Sequence, residues 1–403
     1  VSIRSRVAGS SRYLSPRVRN DLRRGKRRLD RWRSDRSLRD YLTVPKKGPE
    51  DLGLVIAPAN SAGQGYRWAD AVTAHIGDAR AWNYAFRVPS ATSYPVGLGV
   101  PPEVTAHSSD WAVAFEDRLV AAFSHGMWES GRQPLGVARG ESPWTQIERL
   151  RQRGVAPAFV AHGSDVRIPS VHAERHEFSP FRDPEVPLTI ALERKARATL
   201  GALQSFEGPR FVSTPDLLDV VPESAWLPVV PGAEWFSSPQ EEVEPRARLR
   251  VGHVSSSSML KRSDAVEEAI APLVALRAID YERVSGVAPG DMPSVVAGFD
   301  VIIDQFGVGS YGVAACEAMA SGRVVVGNVL PSVRDHVRTT TGFDVPIVQA
   351  TLPTLREVLE ELVEQDPDAR AARSRAGRDF VRAVHNGELA AAAIADNFLR
   401  PRL

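Results

Sequence analysis

The sequence predicts an α/β protein of two doubly wound domains. Three observations carry this reading. Short apolar runs at Leu52–Ala57, Val301–Ile303 and Val324–Val326 lack polar alternation, as parallel strands covered on both faces do. Each leads into a turn or loop, and the first two continue through glycines into a helical stretch, the order of βαβ units. The series occurs twice, on either side of a weakly periodic segment, Leu227–Gln240, holding Pro228, Pro231 and Pro239. A chain of 403 residues has material for two or three cores. The expected division is an arm at 1–47, a first domain at 48–230 and a second at 231–384, with a last helix at 385–403 packing back on the first domain.

In chain order, Leu52–Ala57 reads as the first strand, running through Gly63 and Gly65 into a helix beginning near Trp68. Further strands are expected at Trp111–Phe115, Val120–Phe123 and Ala158–Ala161, with a helix ending at Glu148–Arg153. A helix at Leu188–Leu203 precedes a short strand at Phe211–Ser213. The second series is strand Leu249–Val254, helix Ser263–Leu273, strand Leu276–Val284 and helix Met292–Ala297. Then come strand Val301–Ile303, a glycine turn, a helix carrying Glu317 and strand Val324–Val326. Leu352–Glu364 and Ala369–Phe398 are helical, the latter interrupted near His385–Gly387.

Composition is that of a globular protein, 43% hydrophobic and 25% charged, with no apolar run near the ~18 residues of a membrane span. No apolar leader is evident at the start, and the one cysteine, Cys316, excludes an internal disulfide, so a cytoplasmic setting is expected. Cys316 itself reads as a small core residue. The net charge of +1 hides an asymmetry: residues 1–47 hold 16 Lys or Arg against 4 Asp, and the remainder 34 basic against 45 acidic residues. Within Arg12–Leu42, Leu14, Val18, Leu22, Leu29 and Trp32 recur at helical spacing among arginines. This basic amphipathic helix suits either the anionic inner face of a cell membrane or the acidic body of the protein itself. Nucleic acid is not the expected partner, since few aromatics accompany the charge.

Ligands in doubly wound folds bind beyond the carboxyl ends of strands. The loops expected there are rich in binding chemistry. Gly63 and Gly65 permit close backbone approach, yet Trp68 stands where a dinucleotide fingerprint needs its third glycine, so an ordinary NAD site is not expected. Ser124-His125-Gly126 and His162-Gly163-Ser164-Asp165 place histidines after two neighbouring candidate strands. Ser255–Ser258 followed by Lys261 and Arg262 suits a diphosphate. Gly307, Gly309 and Gly312 then open a helix whose free N–H groups suit a phosphate. Three other matches read as structural. The glutamate of His172-Ala173-Glu174-Arg175-His176 is misplaced for a zinc-protease motif, Asp366-Pro367-Asp368 reads as a helix cap, and Val308 breaks the hydrolase pattern G-x-S-x-G at Ser310.

Taken together these residues resemble the retaining GT-B glycosyltransferases of family 4, whose fold is two Rossmann-like domains facing across a cleft. The sharpest likeness is Gly309-Ser310-Tyr311-Gly312 … Cys316-Glu317-Ala318-Met319-Ala320-Ser321-Gly322, which resembles that family's E-x7-E segment. Its second glutamate matches at Glu317; the first is replaced by Gly309. The resemblance implies a ribose-binding role for Glu317, a diphosphate-binding role for Lys261 and a place near the donor sugar for His162. It also implies donor contacts at Gly63, Gly65, His253, Ser255, Ser310, Tyr311 and Gly312. The arginine that usually precedes the lysine is absent. The implied activity is metal-independent transfer of a sugar, with retention, from a nucleotide-diphosphate sugar to a glycan or lipid-linked acceptor. The sugar nucleotide is substrate, and no cofactor is expected. A sugar-nucleotide epimerase and a non-catalytic sugar-nucleotide-binding protein are the alternatives on the same fold.

Overall fold

The computed structural model describes residues 38–48, 52–86, 94–237, 248–255 and 258–400. The first domain holds seven strands: β1 Leu52–Ala57, β2 Ala79–Phe86, β3 Leu98–Val100, β4 His125–Glu129, β5 Ala156–Ala161, β6 Arg210–Val212 and β7 Ser224–Trp226. The second holds five: β8 Leu249–Val254, β9 Ile279–Val284, β10 Val301–Ile303, β11 Val324–Gly327 and β12 Val348–Gln349. The sheet orders are β3-β2-β1-β4-β5-β6-β7 and β12-β11-β10-β8-β9. Neighbouring strands are parallel, for example Leu54 opposite His125 and Val301 opposite Val251. Leu54–Ala57 and Val301–Ile303 are buried, as strands covered on both faces must be. Strand order reverses between β1 and β4 and between β8 and β10, and a crevice opens beyond the carboxyl ends at such switch points.

Two expected strands are corrected. Trp111–Phe115 and Val120–Ala122 lie in one helix, Ser109–Ala122, with Phe123 the extended residue that ends it; the Ser108 hydroxyl caps its start, accepting from the Trp111 amide at 3.1 Å. Its buried Trp111, Phe115 and Leu119 recur every four residues while Val113 is exposed, a helical period. The strand begins instead at His125, which therefore sits at the amino end of β4, its ring 5.0 Å from that of Phe398. His125 is thus removed from the ligand-binding end of the sheet.

The chain crosses between domains twice. The first crossing follows β7, where Pro228 O accepts from the Trp68 indole at 2.9 Å and Val230 exchanges two hydrogen bonds with the Gln64 amide, at 2.7 and 3.1 Å. The second is at His385–Gly387, between helices Pro367–Val384 and Glu388–Ile394. Beyond it Ala390, Ala391, Ile394, Phe398 and Leu399 join the core cluster of Trp68, Val72 and Met127 in the first domain. The end of the basic arm is docked: Leu38, Tyr41, Leu42 and Val44 pack against the cluster of Trp111 and Phe115, and Tyr41 O accepts from the Trp111 indole at 2.9 Å. Most of the amphipathic stretch at 12–42 lies outside the described residues. Among the described residues no helix is long and apolar enough to cross a membrane.

Candidate active site

A cleft of about 1070 Å³ lies between the domains, lined from both sheets' carboxyl ends. On the second-domain wall the helix Val313–Ala320 follows Gly312, which supplies no side-chain cap, so its first-turn amides are left open for an acceptor. A Cβ on Gly312 would meet nothing within 4 Å, leaving room for a ligand against the backbone. The preceding turn is braced from inside. Gln305 accepts from the Val308 amide at 2.8 Å and donates to Ser310 O. Ser310 lines the cleft, its hydroxyl buried and without a partner among the described residues. Lys261 reaches Asp304, at the carboxyl end of β10, at 2.9 Å. Partly buried Glu317 stands near them; burial, and then the charge of Glu234, push its carboxyl up to about 8 against the opposing pull of Lys261 and Arg67.

The first-domain wall is built on β1, β4 and β5. Gly63 lines the cleft at φ 75°, a left-handed conformation that glycine adopts without strain. His162, one residue beyond β5, stacks on Trp68 with ring centroids 5.6 Å apart and reaches Glu129 Oε1 through Nε2 at 2.9 Å. Glu129 is fully buried at the end of β4, and its Oε2 accepts from the amides of Ala59 and Asn60, each at 2.9 Å. With the carboxylate acting as acceptor on both sides, Nε2–H is the donor. Nδ1 has no protein partner among the described residues and is the ring nitrogen left for a ligand.

Three of the residues singled out in the sequence do other work here. Gly65 is not on the cleft wall: a Cβ there would lie 2.7 Å from the Asn83 amide nitrogen, so the glycine lets its helix close on β2 and β4. His253 is fully buried, Nδ1 donating to Ile303 O and Nε2 accepting from the Ser263 hydroxyl, both at 2.9 Å; burial above all lowers its pKa to about 4. This fixes the next proton too. Ser263 has spent its own on His253, so at 2.8 Å it accepts from Ser255, which lines the cleft as an acceptor rather than a donor. Tyr311 does line the cleft, but its hydroxyl is engaged elsewhere, donating at 3.2 Å to His385 Nε2, whose Nδ1 donates to Val229 O at 2.8 Å. It ties the glycine turn to both crossings.

Lys261, Glu317, Ser310, Gly312, Gly63 and His162 do share the cleft. Gly309, at φ 74°, is closed off by Leu330, whose Cγ would lie 2.6 Å from a Cβ at that position. Sequence reasoning missed Glu129, Arg67 and Glu234. The first follows an apolar run, Met127-Trp128, that marks a strand end once β4 is placed correctly. Arg67 and Glu234 pair at 2.7 Å across the cleft and carry no motif. Of the matches set aside, Asp366 does cap a helix, accepting from the Asp368 amide at 3.0 Å. His172 bonds the Ser179 hydroxyl at 2.8 Å, and burial with the nearby Arg167 lowers its pKa to about 3. Among the described residues no three His, Cys, Asp or Glu are grouped to hold a metal ion.

No family model and no curated protein matches the sequence. Solved structures do match in fold. Sucrose-phosphate synthase from Thermosynechococcus elongatus aligns over 86% of this chain and 98% of its own, at 12% identity and a TM-score of 0.53. Anabaena HepE, solved with UDP-glucose, aligns over 85% and 98% at 12% identity with a TM-score of 0.53. The fold is GT-B. In GT-B terms, the described wall from β1, β4 and β5 and the wall from β8 and β10 face each other across the interdomain cleft.

Proposed function

We propose that this GT-B protein is a glycosyltransferase moving a sugar from a nucleoside-diphosphate donor to an acceptor hydroxyl. The observation that carries the reading is the pairing of walls in one cleft: Lys261, Glu317 and the amides after Gly312 opposite Gly63 and His162. In this reading Glu317 takes the ribose hydroxyls and the diphosphate lies against Lys261, the Ser310 hydroxyl and the open helix end. Negative charge grows on the departing diphosphate as the glycosidic bond breaks. These donors stabilise it there, with no metal in the scheme. His162, oriented by Glu129, meets the donor sugar, and the acceptor approaches from the first domain with retention of configuration. A glycan or lipid-linked acceptor, with the basic arm on an anionic membrane, is part of the same proposal.

A binding protein without turnover is the second reading, favoured by one observation: Gly309, closed off by Leu330, stands where the resemblance expects a carboxylate toward the donor sugar. Incubation with a panel of radiolabelled nucleotide sugars separates the two. Donor hydrolysis or transfer supports the enzyme; tight binding with every donor intact over the panel overturns it.

A further inference from the structure

We propose that Arg67, from the first domain, is the second cation of the diphosphate site and leaves Glu234 to take it. The inference rests on the donor reading above and adds a residue that no motif marks. Among the described residues the cleft is lined by three Lys or Arg side chains: Lys261, Arg167 and Arg67. Each already faces a carboxylate. Lys261 is paired with Asp304 and Arg167 with Asp216, and the acid in both pairs is nearly buried, its side chain 7% and 8% exposed. Lys261 with its partner therefore brings no net charge to a ligand that carries at least two negative ones.

Arg67 differs in the partner it would give up. Its ion pair is with Glu234, whose side chain is 49% exposed. A carboxylate exposed to that degree holds its cation weakly, and once freed it is solvated by water. A buried acid abandoned by its cation has no such recourse. Arg67 is also placed for the task. It lies in the first turn of the helix Gln64–His75, directly after the Gly63 turn, and its guanidinium packs over Gly232 at the first crossing. Arg67, Lys261 and Glu317 all line the cleft, and the charge of each cation is felt at Glu317. A guanidinium fork matches phosphate oxygens in a bidentate way that a lysine cannot. Binding the diphosphate would then pull the first-domain wall onto the second.

The test compares nucleoside diphosphates with nucleosides on the full chain. Affinities for UDP, TDP, GDP and ADP are measured by calorimetry, and those for the matching nucleosides by ligand-observed NMR. Arg67→Ala is expected to weaken the tightest diphosphate by about 10- to 100-fold, the scale of a lost charged hydrogen bond, and its nucleoside by less than about threefold. Arg67→Lys is expected to fall between, and Glu234→Gln to tighten the diphosphate by about two- to fivefold by removing the competitor. Equal weakening of both probes means a structural role, and an unchanged diphosphate affinity means no contact; either overturns the assignment, as does a weaker diphosphate in Glu234→Gln. If wild-type protein binds none of the four diphosphates, the donor reading itself falls, and Arg67 with it.

Discussion

Glu129 holds His162 from behind, Oε1 at 2.9 Å from Nε2, while its Oε2 takes two backbone amides of the β1 loop. One buried carboxylate thus fixes the histidine's tautomer and joins the loops after β1 and β5. Glu129→Gln separates these roles. A glutamine has one acceptor oxygen, so either the amides or the histidine meets an NH2 group instead. A buried donor left unmatched costs ~1–3 kcal/mol, and the thermal midpoint is expected to fall by several degrees. If the tautomer matters to the proposed reaction, kcat falls by at least about tenfold with little change in nucleoside diphosphate affinity. A fall in affinity equal to that in kcat would make Glu129 purely a scaffold.

The raised carboxyl of Glu317 sets a pH dependence with a definite sign. Its pKa is about 8 in the fold against an ordinary 4.5, so the fold favours the protonated form. This contribution is complete below about pH 4.5 and is lost as pH climbs to 8, where the unfolded chain is already ionised. Glu317→Gln keeps the shape without the charge. Its thermal midpoint is expected to exceed the wild-type value by a margin that grows from pH 5 to pH 8.5; a constant margin would deny the shift. Glu317→Ala should weaken nucleoside diphosphate binding by ~1.5–3 kcal/mol if the carboxylate meets ribose.

Buried histidines act in the opposite direction. His253 and His385 are each lowered to about 4, chiefly by burial, and both hold a neutral tautomer fixed by a donated carbonyl bond. Their contribution is complete above the ordinary pKa of 6.5 and disappears as pH falls from there to 4, by about 3 kcal/mol each. The free energy of urea unfolding is expected to drop steeply over that interval. His385→Gln keeps one donor and one acceptor but does not titrate, so it should show a shallower drop. An identical slope would place the acid sensitivity elsewhere.

Much of the fold was legible because buried parallel strands are marked by their own apolar runs: Leu52–Ala57, Leu249–Val254 and Val301–Ile303 stand where the pattern puts them. The error at Ser109–Ala122 has a physical source. Trp111-Ala-Val-Ala-Phe115 is apolar on every side, and short runs of that kind carry no period to tell strand from helix. That slip also hid Glu129, because a residue at the end of an unplaced strand has no address. The glycine turn and Glu317 could be read because they sit on one continuous element. The pairs Arg67–Glu234 and Tyr311–His385 join residues 167 and 74 positions apart, and no local spacing encodes such contacts. Ser255 could be placed at the cleft from sequence, but the direction of its proton depends on His253 and Ile303.

Gly309 stands where the family resemblance expects a carboxylate, and its surroundings explain why no side chain is there. The residue adopts φ 74°, where a Cβ costs ~1–2 kcal/mol, and that Cβ would meet Leu330 Cγ at 2.6 Å. Leu330 is itself fastened to the turn, its amide donating to Gly309 O at 2.9 Å, so it cannot simply swing aside with its backbone. Overpacking of this kind adds ~1–3 kcal/mol. Gly309→Ala and Gly309→Glu are therefore expected to lose similar stability, ~2–4 kcal/mol by urea unfolding, since the Cβ and the backbone strain are common to both. Adding Leu330→Ala to Gly309→Glu should return the packing part and leave the backbone part. A Gly309→Glu protein as stable as wild type would show that the turn can host a carboxylate after all, and the lack of one would then need a reason in the donor rather than in Leu330.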